Sequence, residues 1–280
     1  FNKALTELNW ESQSDETFNF FTVGITGTSA TAGTLQFNGV VGGDNALGDI
    51  AVNAQMSNAA AINAGALAVL GRSTLGADVT TTGDQDFSSA LTLSADLTLS
   101  TTANGTISTT SETTTIDGAY ALTIKTAGTG DVSLAGAVGG TSALTGLTIE
   151  ADTFTAKTIA MATNAELEFA NNSDSTISGM ISGAGATVAK SGSGTLTLPA
   201  TNTYTGATTI SAGVLSVASD VNLGAAPTSA SAGHLTLNGG TLVFSDTFTL
   251  SNNRGIALGT NGGTLEIASG KTLTYAGIIA

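Results

Sequence analysis

Apolar residues recur along this chain in short bursts of period two, each bounded by a glycine-bearing corner. In Gly194-Thr195-Leu196-Thr197-Leu198 the leucines fall on one side and the threonines on the other, which predicts a short strand with Leu196 and Leu198 turned inward. The burst returns as Gly213-Val214-Leu215-Ser216-Val217, Gly233-His234-Leu235-Thr236-Leu237 and Gly263-Thr264-Leu265-Glu266-Ile267. These lie 19, 20 and 30 residues apart, with one more copy at Gly240 to Phe244 inside the last gap. A spacing near 20 is the mark of a solenoid, in which every coil buries its apolar face against the next.

Two longer internal copies support the same architecture. Gly39 to Ala54, with Ile50 and Val52 matching Leu147 and Ile149, returns as Gly136 to Ala151, 97 positions on, and Ala165 to Ser182 returns as Gly263 to Ala280 at an offset of 98. Offsets of that size would hold four or five coils. The expected fold is all-β, a parallel β-helix of about twelve coils of 19 to 24 residues. Its strands would pair with the coils above and below at about 4.8 Å. Only Pro199 and Pro227 occur as prolines, in keeping with continuous ladders that need every N–H. Residues 1–32 differ. Phe1, Leu5, Leu8 and Trp10 have helical spacing, and Phe18, Phe20 and Phe21 a strand-like one. A capping or assembly segment is expected there, covering the first coil's edge or donated as a strand to a neighbour, with ordinary first-coil sequence as the alternative. The β-helix proper is expected over 33–280.

Composition narrows the interior and the partners. Hydrophobic residues make up 41 % of the chain but aromatic ones 5 %, so a narrow core of Leu, Ile, Val, Ala and Thr is expected. Charged residues are only 10 %, leaving Thr, Ser, Asn and Gly to form the surface. Seven basic residues against 21 acidic ones give a formal charge of −14, which repels nucleic acid and anionic membranes. No apolar run approaches the roughly 20 residues of a spanning helix, so no membrane insertion by this segment is expected. With no cysteine there is no disulfide framework and no thiolate metal site. The chain opens at Phe1 without a charged and then apolar leader, so any secretion signal is expected upstream or already removed.

The stretch from Ile177 to Val217 resembles the passenger-associated transport repeat of bacterial autotransporter passenger domains. The residues that carry the likeness are Lys190, Gly192, Gly194 to Leu198, Asn202 to Gly206, Thr208, Ile210, Gly213, Leu215 and Val217. Val221 to Ala225 and Leu237 to Leu242 also resemble the segments downstream of the repeat in such passengers, so passenger-type repeats are expected over 161–280. The Val-Gly-Gly-x-x-Ala-Leu copies within 33–160 are similar to repeats of large haemagglutinin-like adhesins. The resemblance implies a right-handed β-helix, extracellular or at the cell surface of a Gram-negative bacterium, serving attachment or matrix building.

Candidate chemistry is sparse. His234 is the sole histidine, and its place opposite Leu235 and Leu237 predicts a solvent-facing side chain rather than a triad member. Gly192-Ser193-Gly194 is expected to be a turn, not a nucleophile elbow. Asp84 with Asp86, and Glu166 with Glu168, share a strand face at i, i+2 spacing and are the nearest approach to a paired-carboxylate glycosidase site. Glu168, however, recurs as Glu266, as a repeat position does. Gly43-Asp44-Asn45 and Gly48-Asp49 lack the tandem nonapeptide of a calcium β-roll. The sequons at Asn104 and Asn171 are expected to be surface turns.

No catalytic, cofactor-binding or metal-ligating residue is assigned, and no cofactor is expected. The expected role is a non-enzymatic structural or adhesive segment with a host or matrix surface ligand. The alternatives are a protomer that self-associates end to end into a filament and a β-helix polysaccharide-processing enzyme.

Overall fold

The computed structural model describes residues 34–43 and 46–280. The segment expected to cap or assemble the rod, 1–32, lies outside them. The described chain is a three-sided β-solenoid, and every strand pairing in it is parallel. Face one starts with five strands from Thr34–Phe37 to Ile116–Asp117. It continues through single bridges from Ile116 to Val138 and from Val138 to Ile159, and ends with Phe248–Thr249 paired to Leu273–Thr274. Face two runs from Ile62–Ala64 to Arg254–Leu258. Face three stacks eleven strands from Ile50–Val52 to Thr264–Ile267, so the rod has about eleven levels.

Most strands are short because each face is narrow, and a glycine or a small polar residue then turns the chain; Ile159–Asn171 instead runs through a corner and pairs on faces one and two. At Gly213 this choice is forced. Its φ is +60°, and a Cβ there would stand 2.4 Å from the Gly192 carbonyl oxygen and 2.9 Å from the Lys190 amine one level below.

Period-two alternation holds along the strands. In Thr195–Thr197 and Val214–Val217 the leucines and Val217 are buried while Thr195, Thr197, Val214 and Ser216 are half-buried. On face three the inward residues form vertical columns. Leu196 lies under Leu215, Leu215 under Leu242, and Leu242 under Leu265. Phe154 of face three and Phe169 of face two stack across the interior with ring centroids 4.9 Å apart. Burying such a column in water-free contact is worth roughly 1.5–3 kcal/mol per large side chain, and the contribution is spread over all levels.

Two expectations need correction. Coil length is more variable than 19 to 24 residues. Ile50 aligns with Leu67, a turn of 17, and Leu215 with Leu242, a turn of 27, because loops at the corners lengthen without disturbing the ladder. The internal copies also do not correspond to whole turns. Leu167 lies on face two and its copy Leu265 on face three, while Ile50 lies on face three and its copy Leu147 on face two. The three faces impose the same demand, an apolar residue every second position and a tight corner, so one sequence unit serves on any of them.

Candidate functional site: carboxylate staples and a buried ionic cluster

The two carboxylate pairs with i, i+2 spacing sit on outward faces, but three of the four acids are tied to the neighbouring coil. Asp84 Oδ1 accepts a hydrogen bond from the Thr106 amide at 2.8 Å, and Asp86 accepts one from the Ser108 hydroxyl. Glu168 accepts one from the Ser191 hydroxyl at 2.8 Å, and Glu166 is exposed beside it.

The pattern extends along the rod. Asp78 holds the Thr98 amide at 2.7 Å, Asp96 the Ala121 amide at 2.8 Å, and Asp174 the Thr195 amide at 3.2 Å. Asp117 holds the amides of both Thr141 and Ser142, at 2.7 and 3.0 Å. Burial opposes ionisation of Asp117. The two amides and the Thr115 side chain nevertheless keep its carboxyl below the usual carboxylate range. These acids are inter-coil staples: where the chain turns a corner, a carboxylate supplies the acceptor that the ladder no longer does. The sequence did not reveal this, although an aspartate with a Thr, Ser or Ala amide one coil later is its trace.

The remaining candidates separate clearly. Ser193 is an exposed turn residue whose hydroxyl donates to the Asn172 carbonyl at 3.2 Å, and Gly192 has φ +72°. Asn104 is exposed, as expected. Asn171 is not. It is fully buried, its amide donates to the carbonyls of Ser173 and Thr195, and no glycan could be attached there without opening the coil. Asp49 is exposed, whereas Asp44 and Asn45 lie outside the described residues. Among the described residues, no three His, Asp or Glu side chains come together to hold a metal ion.

His234 also needs correction, because it is buried, 6 % exposed. Its strand, Ser231–Leu237, has a bulge: Ser231 pairs with Arg254 and Leu235 with Ile256, so the stretch between them loses the alternation and turns the imidazole inward. There it meets Arg254, whose side chain is wholly buried. The guanidinium donates through Nε to Asp220 Oδ1 at 2.9 Å, through Nη1 to the Leu223 carbonyl at 2.8 Å, and through Nη2 to the Gly224 carbonyl at 2.6 Å. His234 Nδ1 lies 3.5 Å from Nη1, and Nε2 is buried with no hydrogen-bond partner. Burial and the Arg254 charge hold the imidazole below its ordinary range, against the pull of the Asp220 carboxylate and the Thr205 backbone.

A second cation is buried against carbonyls alone. Lys190, on the strand Thr187–Ser191, points inward and donates to the carbonyls of Ser191 and Gly192, the latter at 2.8 Å. Desolvation pushes its ammonium down to about 8. Further along the same turn, the buried Asn202 accepts from the Ile181 amide at 2.7 Å and donates to the Asn222 carbonyl at 2.6 Å, and the Tyr204 hydroxyl meets Thr208 at 2.8 Å.

Residues 188–217 match the family model of the passenger-associated-transport-repeat. The residues that carry the likeness are the interior and corner positions of this stretch. Lys190, Leu196, Leu198, Asn202, Tyr204, Thr208, Ile210, Leu215 and Val217 are all buried, and Gly192 and Gly213 form left-handed corners. The residues that carry the likeness thus specify how one coil closes and seats the next. No curated protein and no solved structure matches the chain. A transport repeat within a β-solenoid fits a secreted autotransporter passenger segment, and suggests a secreted or cell-surface protein of Gram-negative bacteria.

Proposed function

We propose that this chain is a non-enzymatic structural rod of an autotransporter passenger, which holds adhesive or matrix contacts out from the bacterial surface. The observation that carries this is the use of the outward carboxylates. Of the four candidate acids, Asp84, Asp86 and Glu168 are committed to hydrogen bonds with the next coil, which leaves Glu166 without an uncommitted second carboxylate on its strand face. Eleven levels at about 4.8 Å make a spacer of roughly 50 Å, and its threonine- and serine-rich faces suit weak polar contact with a glycan or matrix surface.

Negative-stain microscopy and sedimentation of the purified chain test the structural part: single rods of constant length support it, and fibres that lengthen with concentration would replace it with a self-assembling filament. Beads coated with the rod should be retained on immobilised matrix protein or glycan better than beads coated with heat-unfolded chain. Release of reducing sugar from an acidic polysaccharide, abolished by Asp84→Asn with Asp86→Asn or by Glu166→Gln with Glu168→Gln, would refute the non-enzymatic assignment.

A further inference from the structure

The longest coil, from Leu215 to Leu242, carries an excursion: a short 3-10 turn at Asp220–Leu223, then an exposed stretch from Ala225 to Ala230. Asn202 and Asn222 tie residues 221 and 222 to the level below, and the Asn253 side chain donates to the Pro227 carbonyl, but few ladder hydrogen bonds hold the rest of the excursion to the rod. Instead Arg254 reaches from the following level and grips three of its backbone carbonyls, those of Asp220, Leu223 and Gly224, as well as the Asp220 carboxylate. His234, at the excursion's far end, touches the same guanidinium through Nδ1.

We propose that Asp220, Arg254 and His234 form an acid-sensitive latch, which releases the 225–233 part of the excursion from the rod when the imidazole takes a proton. The neutral ring offers Nδ1 as an acceptor to Arg254. The protonated ring presents an N–H to an N–H and a cation to a cation, inside a site closed to water. Nε2 meets no acceptor at hydrogen-bond geometry; burial and the Arg254 charge oppose the charged ring more than the Asp220 carboxylate and the Thr205 backbone favour it. The other groups facing the cluster do not supply the missing anion. Asp220 is already engaged by Arg254 and by the Ser251 amide, Tyr204 is a buried neutral phenol, and Tyr275 donates to the Arg254 carbonyl at 2.6 Å.

Hydrogen exchange on the intact chain, corrected for the intrinsic pH dependence, reads the latch directly. The Ala225 and Ser231 amides donate to the Tyr204 and Asn253 carbonyls and report closure. As pH falls from about 7.5 to about 4.5, their protection should drop about tenfold or more while that of 188–217 stays constant. In His234→Gln the drop should vanish. The chain has a single histidine, so NMR titration of the unaltered protein gives its protonation midpoint without ambiguity. That midpoint should lie below the ordinary histidine range and coincide with opening. Three results would overturn the latch: equal loss of protection in His234→Gln, which would point to Asp220; simultaneous loss throughout the rod; or an imidazole that titrates apart from the opening.

Discussion

Asp131 reaches across one coil to hold both the amide and the hydroxyl of Thr153, at 3.1 and 2.6 Å. Like Asp117, it uses one carboxylate oxygen to satisfy two donors at a half-buried corner. Asp131→Ala should lower stability by about 1–3 kcal/mol, the usual cost of removing a charged acceptor from groups that water reaches poorly. Glu166→Ala, on an exposed outward position, should stay within about 0.5 kcal/mol. Thermal unfolding of the two variants side by side checks this, and equal shifts would show that the staples contribute nothing beyond surface charge.

The inward column makes a sharper contrast within one strand. Leu196 is wholly buried between Leu215 above and Ser175 below, whereas Thr197 next to it is half-buried on the outer face. Leu196→Asp should cost several kcal/mol, about 3–5, by placing an unpaired charge in the core. Thr197→Asp should cost less than about 1 kcal/mol. Melting curves that coincide for the two would mean that the facing of this strand is reversed.

Legibility of the sequence is a matter of locality. Alternation fixes which side of a strand is apolar, so period two alone places Leu196, Leu198, Leu215 and Val217 correctly. The same rule misplaces His234, since a bulge between Ser231 and Leu235 changes the phase and nothing in five residues signals it. The pairing of Asp220 with Arg254 spans 34 positions and depends on the length of an irregular loop. The staples at Asp78 and Asp96 reach 20 and 25 positions through corners of unequal length, so the series forms no fixed motif. The transport-repeat resemblance marks Lys190, but a lysine in a strand reads as a surface residue until its neighbours are known. The internal copies overstate the regularity of the stack because similar sequence units sit on different faces.

Lys190 gives the stability of the rod an alkaline signature. Its native ammonium is held down at about 8, while in the unfolded chain it titrates near 10.4. Between these values the unfolded chain binds a proton that the native one has released, so stability from this group rises as pH increases through that window. The melting temperature of the wild type, relative to Lys190→Met, should therefore increase from pH 8 to pH 10. A difference independent of pH would show that the amine is in contact with water.

Tyr204 should act in the opposite direction at higher pH. Burial pushes its phenol up to about 12, with the Thr208 hydroxyl and the Arg254 charge opposing the rise, whereas an unfolded tyrosine titrates near 10. From pH 10 to 12 the unfolded chain releases a proton that the native fold retains, so stability is lost as pH rises. Tyr204→Phe should cost about 1 kcal/mol at neutral pH, because Thr208 loses its hydroxyl partner at 2.8 Å. Above pH 10 that deficit should shrink and then reverse, since phenylalanine has no proton to release. The combined profile has a gain between pH 8 and 10, removed by Lys190→Met, and then a loss, reduced by Tyr204→Phe. Two variants that each erase one limb would locate both groups inside the rod. If the loss above pH 10 is unchanged in Tyr204→Phe, another group is responsible, and the phenol is not sealed from solvent at the repeat's corner.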